Sequence, residues 1–303
     1  MPILVRRSNL MVPVTNKAFV ERAWRRGADA VTLDLEDGVI STLKEEARER
    51  VKDAIGIVGK GGAEVFVRVN KSFAQADIEA SVWPGLSGVV LPRVESPEDV
   101  AEVAEILATM EGRRGIDLGS LQLILLMESA QAVWDIRRII NADARVVQVG
   151  LDESDLSAAL GITPLPDHDP FIYARGRVVV EATAAGVQPI GVAYPMGTHP
   201  AFPSAEDMLK IALDSKNLGF KGIICPHPSW VAPVNSAFTP TESQVDYYTQ
   251  VRQLFAEAIA AGTAAVPFHG RMIDVPVDEW AKDVLAMAAA CAARDAQKQA
   301  SME

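Results

Sequence analysis

The sequence has almost no cysteine: Cys225 and Cys291 are the only two in 303 residues. Two residues cannot form a disulfide framework and these have no metal-site spacing, so a reducing compartment is consistent with them. The four histidines, His168, His199, His227 and His269, likewise lack the spacing of a zinc site. No apolar run approaches the roughly 20 residues that span a bilayer, and the start Met-Pro-Ile-Leu-Val-Arg-Arg lacks the charged-then-apolar order of a signal peptide. A cytoplasmic location, away from any membrane, is the expectation. Positive charge is also short: 29 Lys and Arg against 40 Asp and Glu leave a net charge of −11, which argues against nucleic acid as a partner. Absence of Gly-x-Gly-x-x-Gly, of a Walker A motif and of Gly-x-Ser-x-Gly removes support for nucleotide-phosphate cradles and serine hydrolysis. No lysine falls at a strand end; Lys17 and Lys71 lie in the loops after strands, which disfavours Schiff-base chemistry.

What the chain does have is a regular alternation. With 49% hydrophobic and 23% charged residues it can bury a large core. From Ser8 to His227, short apolar runs rich in β-branched residues alternate with helical patterns, the order of a parallel sheet with crossover helices. The runs are Asn9–Val12, Ala30–Leu35, Val65–Val69, Gly88–Leu91, Leu121–Met127, Val146–Val149, Pro189–Ala193 and Gly222–Cys225. Eight strands of near-continuous hydrophobicity predict an α/β fold, a (β/α)8 TIM barrel, with a C-terminal helical extension. The expected division is a barrel over 1–236 and an extension over 237–303. The extension reads as a helix near Glu242–Ala261, a loop over Thr263–Pro276 and a last helix over Val277–Gln297, packed locally or reaching a neighbouring subunit. Three prolines in Thr163–Pro170 make that stretch a rim or lid segment.

In such a barrel the active face lies at the strand C-termini. Carboxylates crowd there: Asp34, Glu36 and Asp37 after strand 2, Glu95 after strand 4, Glu128 after strand 5, and Asp152, Glu153 and Asp155 after strand 6. Like charges held close repel and raise one another's pKa, and a divalent cation resolves the conflict. Two carboxylates with water and a chelating substrate suit octahedral Mg2+. Glu128 directly follows the apolar run Leu121–Met127 and is the first candidate ligand, with capping of the next helix or an arginine pair as the alternative. Its partner comes from strand 6, either Asp155 or Asp152, although Asp155 reads equally well as the N-cap of the helix at Leu156–Leu160. Arg68, at the end of strand 3, either clamps a carboxylate or pairs with Glu36 and Asp37; both can hold together.

These segments, taken in order, resemble the citrate lyase β-subunit-like and malyl-CoA lyase branch of the group that also holds the HpcH/HpaI aldolases. Nearly the whole chain takes part. The carrying segments are Arg7-Ser8-Asn9-Leu10-Met11-Val12-Pro13, Asp34-Leu35-Glu36-Asp37-Gly38-Val39, Arg68-Val69-Asn70, Leu91-Pro92-Arg93-Val94-Glu95, Met127-Glu128-Ser129-Ala130 and Asp155-Leu156-Ser157-Ala158-Ala159-Leu160-Gly161. Two more, from Pro226-His227-Pro228 through Val234-Asn235-Ser236-Ala237-Phe238 and Gly270-Arg271-Met272-Ile273-Asp274-Val275-Pro276, match the C-terminal side of that branch.

The resemblance implies a homo-oligomer, commonly a trimer, whose C-terminal extension is exchanged between subunits, and Mg2+ held by Glu128 and Asp155. It implies that Arg68 contacts the keto-acid part and that Asp274 is an acid/base lent by a neighbouring subunit. Three departures stand out. Val14 follows Pro13 where a small residue is usual, Arg93 replaces a lysine, and Gly150–Asp155 runs about two residues longer than the family pattern. The extra length leaves Asp152 in competition with Asp155.

The expected reaction is reversible cleavage of a 3-hydroxy-carboxylic acyl-CoA, such as a malyl-, citramalyl- or citryl-CoA, to a 2-keto acid and an acyl-CoA. Glu36 and Asp37 are expected in the catalytic group with Arg68 and Asp274. Arg7 and Lys17, among the basic residues Arg6, Arg7, Lys17, Arg22 and Arg25, are the candidates for the coenzyme's phosphates. Two rivals remain: a metal-dependent pyruvate aldolase acting on a free hydroxy-keto acid, whose branch has a histidine at the place of Asp37, and a partner-dependent or non-catalytic subunit of a larger lyase complex.

Overall fold

Strands buried on both faces need apolar residues at every position, and the eight apolar runs meet that requirement by pairing side by side. In this computed structural model, which describes residues 3–164, 168–192 and 203–302, every predicted run overlaps a strand. The strands are β1 (Ser8–Pro13), β2 (Ala30–Asp34), β3 (Glu64–Arg68), β4 (Gly88–Leu91), β5 (Gln122–Met127), β6 (Val146–Leu151), β7 (Gln188–Ile190) and β8 (Ile223–Cys225). Ala193, at the end of the seventh predicted run, lies outside the described residues. The eight strands form one parallel sheet in the order β7-β6-β5-β4-β3-β2-β1-β8. Between its two ends, the Lys221 amide donates to the Pro189 carbonyl at 2.9 Å and the Gly191 amide to the Gly222 carbonyl at 3.0 Å, which closes the barrel.

Helices α1 (Lys17–Ala23), α2 (Lys44–Val58), α3 (Ala74–Ser81), α4 (Pro97–Arg114) and α5 (Ala130–Ile140) follow the first five strands. Strand β6 is followed by two, α6 (Glu153–Leu160) and α7 (Ile172–Ala185), then α8 (Ala205–Leu218) follows β7 and α9 (Val231–Phe238) follows β8. Local sequence sets their ends. Ser96 and Asp99 form a capping box at α4 with Pro97 in its first turn, and Ser129 caps α5 by accepting the Ala132 amide. The main core lies between strands and helices, while Ala30, Phe66, Val90, Ile124, Leu126 and Ile190 fill the barrel interior.

The lower end of the barrel is sealed by charge. The fully buried Arg6 donates to Glu64, Gln122 and Gln148 at 2.8–2.9 Å and lies over the Phe66 ring. Arg7 is bound to Asp29 by 2.8 and 3.0 Å contacts, both groups buried. Both arginines precede β1, so they sit at the N-terminal end of the strands. This corrects the reading of Arg7 as a coenzyme contact, because its guanidinium is committed to Asp29 at the end opposite the mouth.

The chain divides into two compact units, Arg6–Phe238 and Thr239–Ser301 with residues 3–5. The second holds α10 (Glu242–Ala260), β9 (Val266–Phe268), β10 (Arg271–Ile273) and α11 (Val275–Met302) around Val251, Phe255, Ile273 and Ala281. The stretch expected to be a plain loop over Thr263–Pro276 is therefore a hairpin. Its two-residue turn places His269 and Gly270 at φ 46° and 74°, the pair of positive values that a tight antiparallel connection needs.

Candidate active site

The parallel register places Asp34, at the end of β2, beside Arg68, at the end of β3. Asp34 accepts Arg68 Nε at 2.8 Å and Nη2 at 2.7 Å, a bidentate clamp with the carboxylate fully buried. The same carboxylate accepts the amides of Glu36 and Gly38, both at 2.8 Å, so it also shapes the turn after β2. A side chain at Gly38 would collide with Asp34 Oδ2, so glycine is required there by close approach. Lys44 spends three donors below this turn, on the carbonyls of Leu35 and Glu36 at 2.7 Å and on Asn70 Oδ1 at 2.8 Å.

Above that base stand Glu36 and Arg93. Glu36 Oε2 lies 3.2 Å from Arg68 Nη1 and its Oε1 3.2 Å from Arg93 Nε. Arg93 also reaches Asp37 at 3.4 Å and Glu128 at 3.8 Å. Its backbone is left-handed, at φ 54°, a conformation that costs a non-glycine residue energy. The turn is held by Lys71, whose ammonium donates to the Arg93 carbonyl at 3.0 Å and to Asp99 at 2.8 Å.

Glu128 directly follows β5 at 5% exposure, and its Oε2 has no hydrogen-bond partner. Glu128, Asp152 and Asp155 each bring a carboxylate oxygen within 4.8 Å of the others. Asp152, not Asp155, caps α6: its carboxylate accepts the amides of Ser154 at 3.0 Å and Asp155 at 3.4 Å. The Asp155 carboxylate is thereby free of capping and turns to the other acids from the first helical turn. Behind α6, Glu153 is paired with the buried Arg175 of α7, which also holds Asp169.

Charge and burial act strongly on this group. Burial, then the neighbouring Asp152 and Asp155, push the Glu128 carboxyl up to about 8. Burial lifts Glu36 to about 7 against the pull of Arg68. Asp155 is raised by burial and by Asp152. Burial opposes the charge on Arg68, yet its bonds to Asp34 and the charges of Glu36 and Asp37 hold its pKa above the ordinary value. Glu128, Asp152 and Asp155, with the buried Glu128 Oε2 lacking a hydrogen-bond partner, are a donor set suited to a hard divalent cation.

The structure thus brings together Arg68, Glu36, Asp37, Glu128, Asp152 and Asp155. Lys17 begins α1 on the same, C-terminal side of the barrel, exposed and 3.8 Å from Glu21. Asp274 belongs to the C-terminal unit, between β10 and α11, half-buried, with Oδ1 accepting the Val277 amide at 3.3 Å. His227 turns onto Ser229 at 2.7 Å, whereas His199 and residues 165–167 of the predicted rim segment lie outside the described residues. Asp34, Lys44 and Asn70 had no assigned role in the sequence. For Asp34 a signal existed: a second acid two residues before Glu36, at the last position of a buried strand, has little to pair with except the arginine ending the next strand.

A closed parallel barrel with convergent acids and a clamped arginine at its C-terminal mouth is the architecture of a (β/α)8-barrel enzyme. Residues 7–228 match the family described as HpcH/HpaI aldolase/citrate lyase. The chain belongs to that family and is a carbon–carbon lyase. It is 29% identical over 288 residues to the citrate lyase subunit beta of Leuconostoc mesenteroides subsp. cremoris, covering 94% of this chain and 93% of the relative. It is 29% identical over 298 residues to the mitochondrial citramalyl-CoA lyase of Rattus norvegicus, covering 93% of this chain and 86% of the relative. Its fold is similar to that of CitE from Mycobacterium tuberculosis in complex with magnesium and pyruvate, with a TM-score of 0.61, 25% identity, and 79% and 94% of the two chains covered.

Proposed function

We propose that this chain is a Mg2+-dependent lyase that cleaves, and forms, a 3-hydroxy-carboxylic acyl-CoA such as a malyl-, citramalyl- or citryl-CoA. The products are a 2-keto acid and an acyl-CoA. The observation that carries the reading is the convergence of Glu128, Asp152 and Asp155 within 4.8 Å beside a clamped arginine. The named activities of the rat relative and the magnesium and pyruvate of the M. tuberculosis structure support it.

Glu128 and Asp155 would hold the ion, with Asp152 as the competing donor. When bound, Mg2+ supplies positive charge beside the substrate's carboxylate and the adjoining oxygen. Arg68, immobilised by Asp34, adds a fixed cation where the hydroxyl oxygen becomes a carbonyl, and needs no reorganisation to do so. Glu36 and Asp37 keep Arg68 and Arg93 in place across the mouth. In cleavage, the hydroxyl gives its proton to solvent at the open mouth and the bond between the carbinol carbon and the carbon next to the thioester breaks. Its electrons pass to the thioester enolate, which takes a proton from Asp274 of a neighbouring subunit; condensation runs the same transfers in reverse. This role makes the active form a homo-oligomer. Lys17, at the rim, is assigned to a coenzyme phosphate.

The test is turnover of a panel of 3-hydroxyacyl-CoA thioesters and free aldols, with and without Mg2+. Mg2+-dependent release of a 2-keto acid from a thioester is expected. Turnover of free aldols alone would replace this reading with a pyruvate-type aldolase, and no turnover at all would favour a partner-dependent subunit.

A further inference from the structure

The mouth has two unlike halves. Arg93 and most of the acids lie over the ends of β2 to β6. On the other side Met11, Leu126, Ile190, Ile224, Pro226 and Trp230 wall a cavity of about 270 Å3 that reaches Arg68 and Asp152 at its edge. That volume is room for roughly nine water-sized groups. Gly150 of β6 also lines it, in register with Leu126 on one side and Ile190 on the other. A Cβ there would stand 3.0 Å from Leu126 Cδ2 and 3.2 Å from Ile190 Cγ1, so the missing side chain keeps the floor open.

Charge around the cavity is one-sided. Among the described residues that line it, Arg68 is the one cation and is already clamped by Asp34, while Asp152 and Glu153 are acids. A substrate whose carboxylate lies beside the metal acids and whose adjoining oxygen lies beside Arg68, at the cavity's edge, has hydrocarbon walls next to it for its remaining substituent. An alkyl group gains there by leaving water. A second carboxylate would lose its hydration with no further cation among the described lining residues to replace it.

We propose that this cavity is an alkyl subsite, so that the 2-keto acid handled by the chain carries an uncharged alkyl side chain and no second carboxylate. The inference rests on the reading that the chain takes 2-keto acids beside Mg2+. Its test is calorimetric titration of the full chain, saturated with Mg2+, with glyoxylate, pyruvate, 2-oxobutyrate, 2-oxopentanoate and oxaloacetate. From pyruvate to 2-oxopentanoate, binding should tighten roughly fourfold per added methylene, and oxaloacetate should bind more weakly than 2-oxobutyrate. Gly150→Ala should flatten the series. Ile224→Thr, which replaces part of the hydrocarbon wall with a hydroxyl at similar size, should cut the gain per methylene, so the inference does not depend on the glycine variant folding. A flat series in the wild type, or tightest binding by glyoxylate or oxaloacetate, overturns the subsite and leaves the lyase reading standing. Failure of every keto acid to bind with Mg2+ present overturns both.

Discussion

The Asp155 amide donates to the Asp152 carboxylate at 3.4 Å, so one of the two candidate metal acids after β6 caps the helix that carries the other. Capping occupies Asp152 and leaves the Asp155 carboxylate unengaged. The two acids that are equivalent by sequence position are therefore unequal in the fold.

That inequality predicts an order of effects on Mg2+ affinity, measured by calorimetry. Glu128→Gln and Asp155→Asn should each weaken binding by at least roughly 10–100-fold, the range seen for disturbed metal sites. Asp152→Asn should weaken it less, because asparagine still caps α6, while Asp152→Ala should in addition lower stability by about 1 kcal/mol. An Asp152→Asn effect larger than that of Asp155→Asn would reverse the assignment of the second ligand.

A second prediction concerns pH. Glu128 and Glu36 are raised to about 8 and about 7, so the folded protein holds their protons more tightly than the unfolded chain does. The stability that they contribute is full below the ordinary carboxylate range and is lost as pH rises through those values. The thermal midpoint of the metal-free protein should fall from about pH 5 to about pH 9, and saturating Mg2+ should flatten the fall. Apparent Mg2+ affinity should rise over the same interval. In Glu128→Gln the fall should shrink, and a midpoint profile unchanged from wild type would show that Glu128 does not titrate as described.

Asp34 and Arg68 act as one unit, so Asp34→Asn should cost roughly 100-fold in turnover, comparable to loss of one charge-stabilising donor. Circular dichroism should report an intact fold and calorimetry a nearly unchanged Mg2+ affinity. Equal turnover in wild type and variant would mean that the clamp does not set the position of the guanidinium.

Arg7 and Lys17, one pair of candidates in the sequence, should separate cleanly. Arg7→Ala removes the guanidinium that neutralises the buried Asp29 carboxylate and should destabilise the fold by roughly 3–5 kcal/mol. Lys17→Ala should leave stability within about 0.5 kcal/mol and raise the KM for the thioester. Denaturant unfolding and steady-state kinetics on both variants check this.

The barrel was legible because its strands are hydrophobic on both faces, as in Val65–Val69 and Leu121–Met127, and because helix starts such as Ser96-Pro97 carry their own signals. Less legible was anything decided by which end of a strand a residue occupies. Arg7 and Arg68 both border an apolar run, but Arg7 precedes its strand and Arg68 ends one, and only the latter position opens on the mouth. Position relative to the run contained that distinction. The hairpin at Val266–Ile273 was hidden by Pro267 and Gly270, which read as loop residues although the turn needs the glycine. The choice between Asp152 and Asp155 depended on where α6 begins, a boundary that hydrophobic pattern leaves open by several residues.

The most direct measurement is Mg2+-dependent cleavage of a 3-hydroxyacyl-CoA by wild type and by Glu128→Ala, with the fold of both verified by circular dichroism. The Glu128-centred site predicts that the variant folds, fails to bind Mg2+ and loses turnover. Turnover in Glu128→Ala equal to that of the wild type would contradict it.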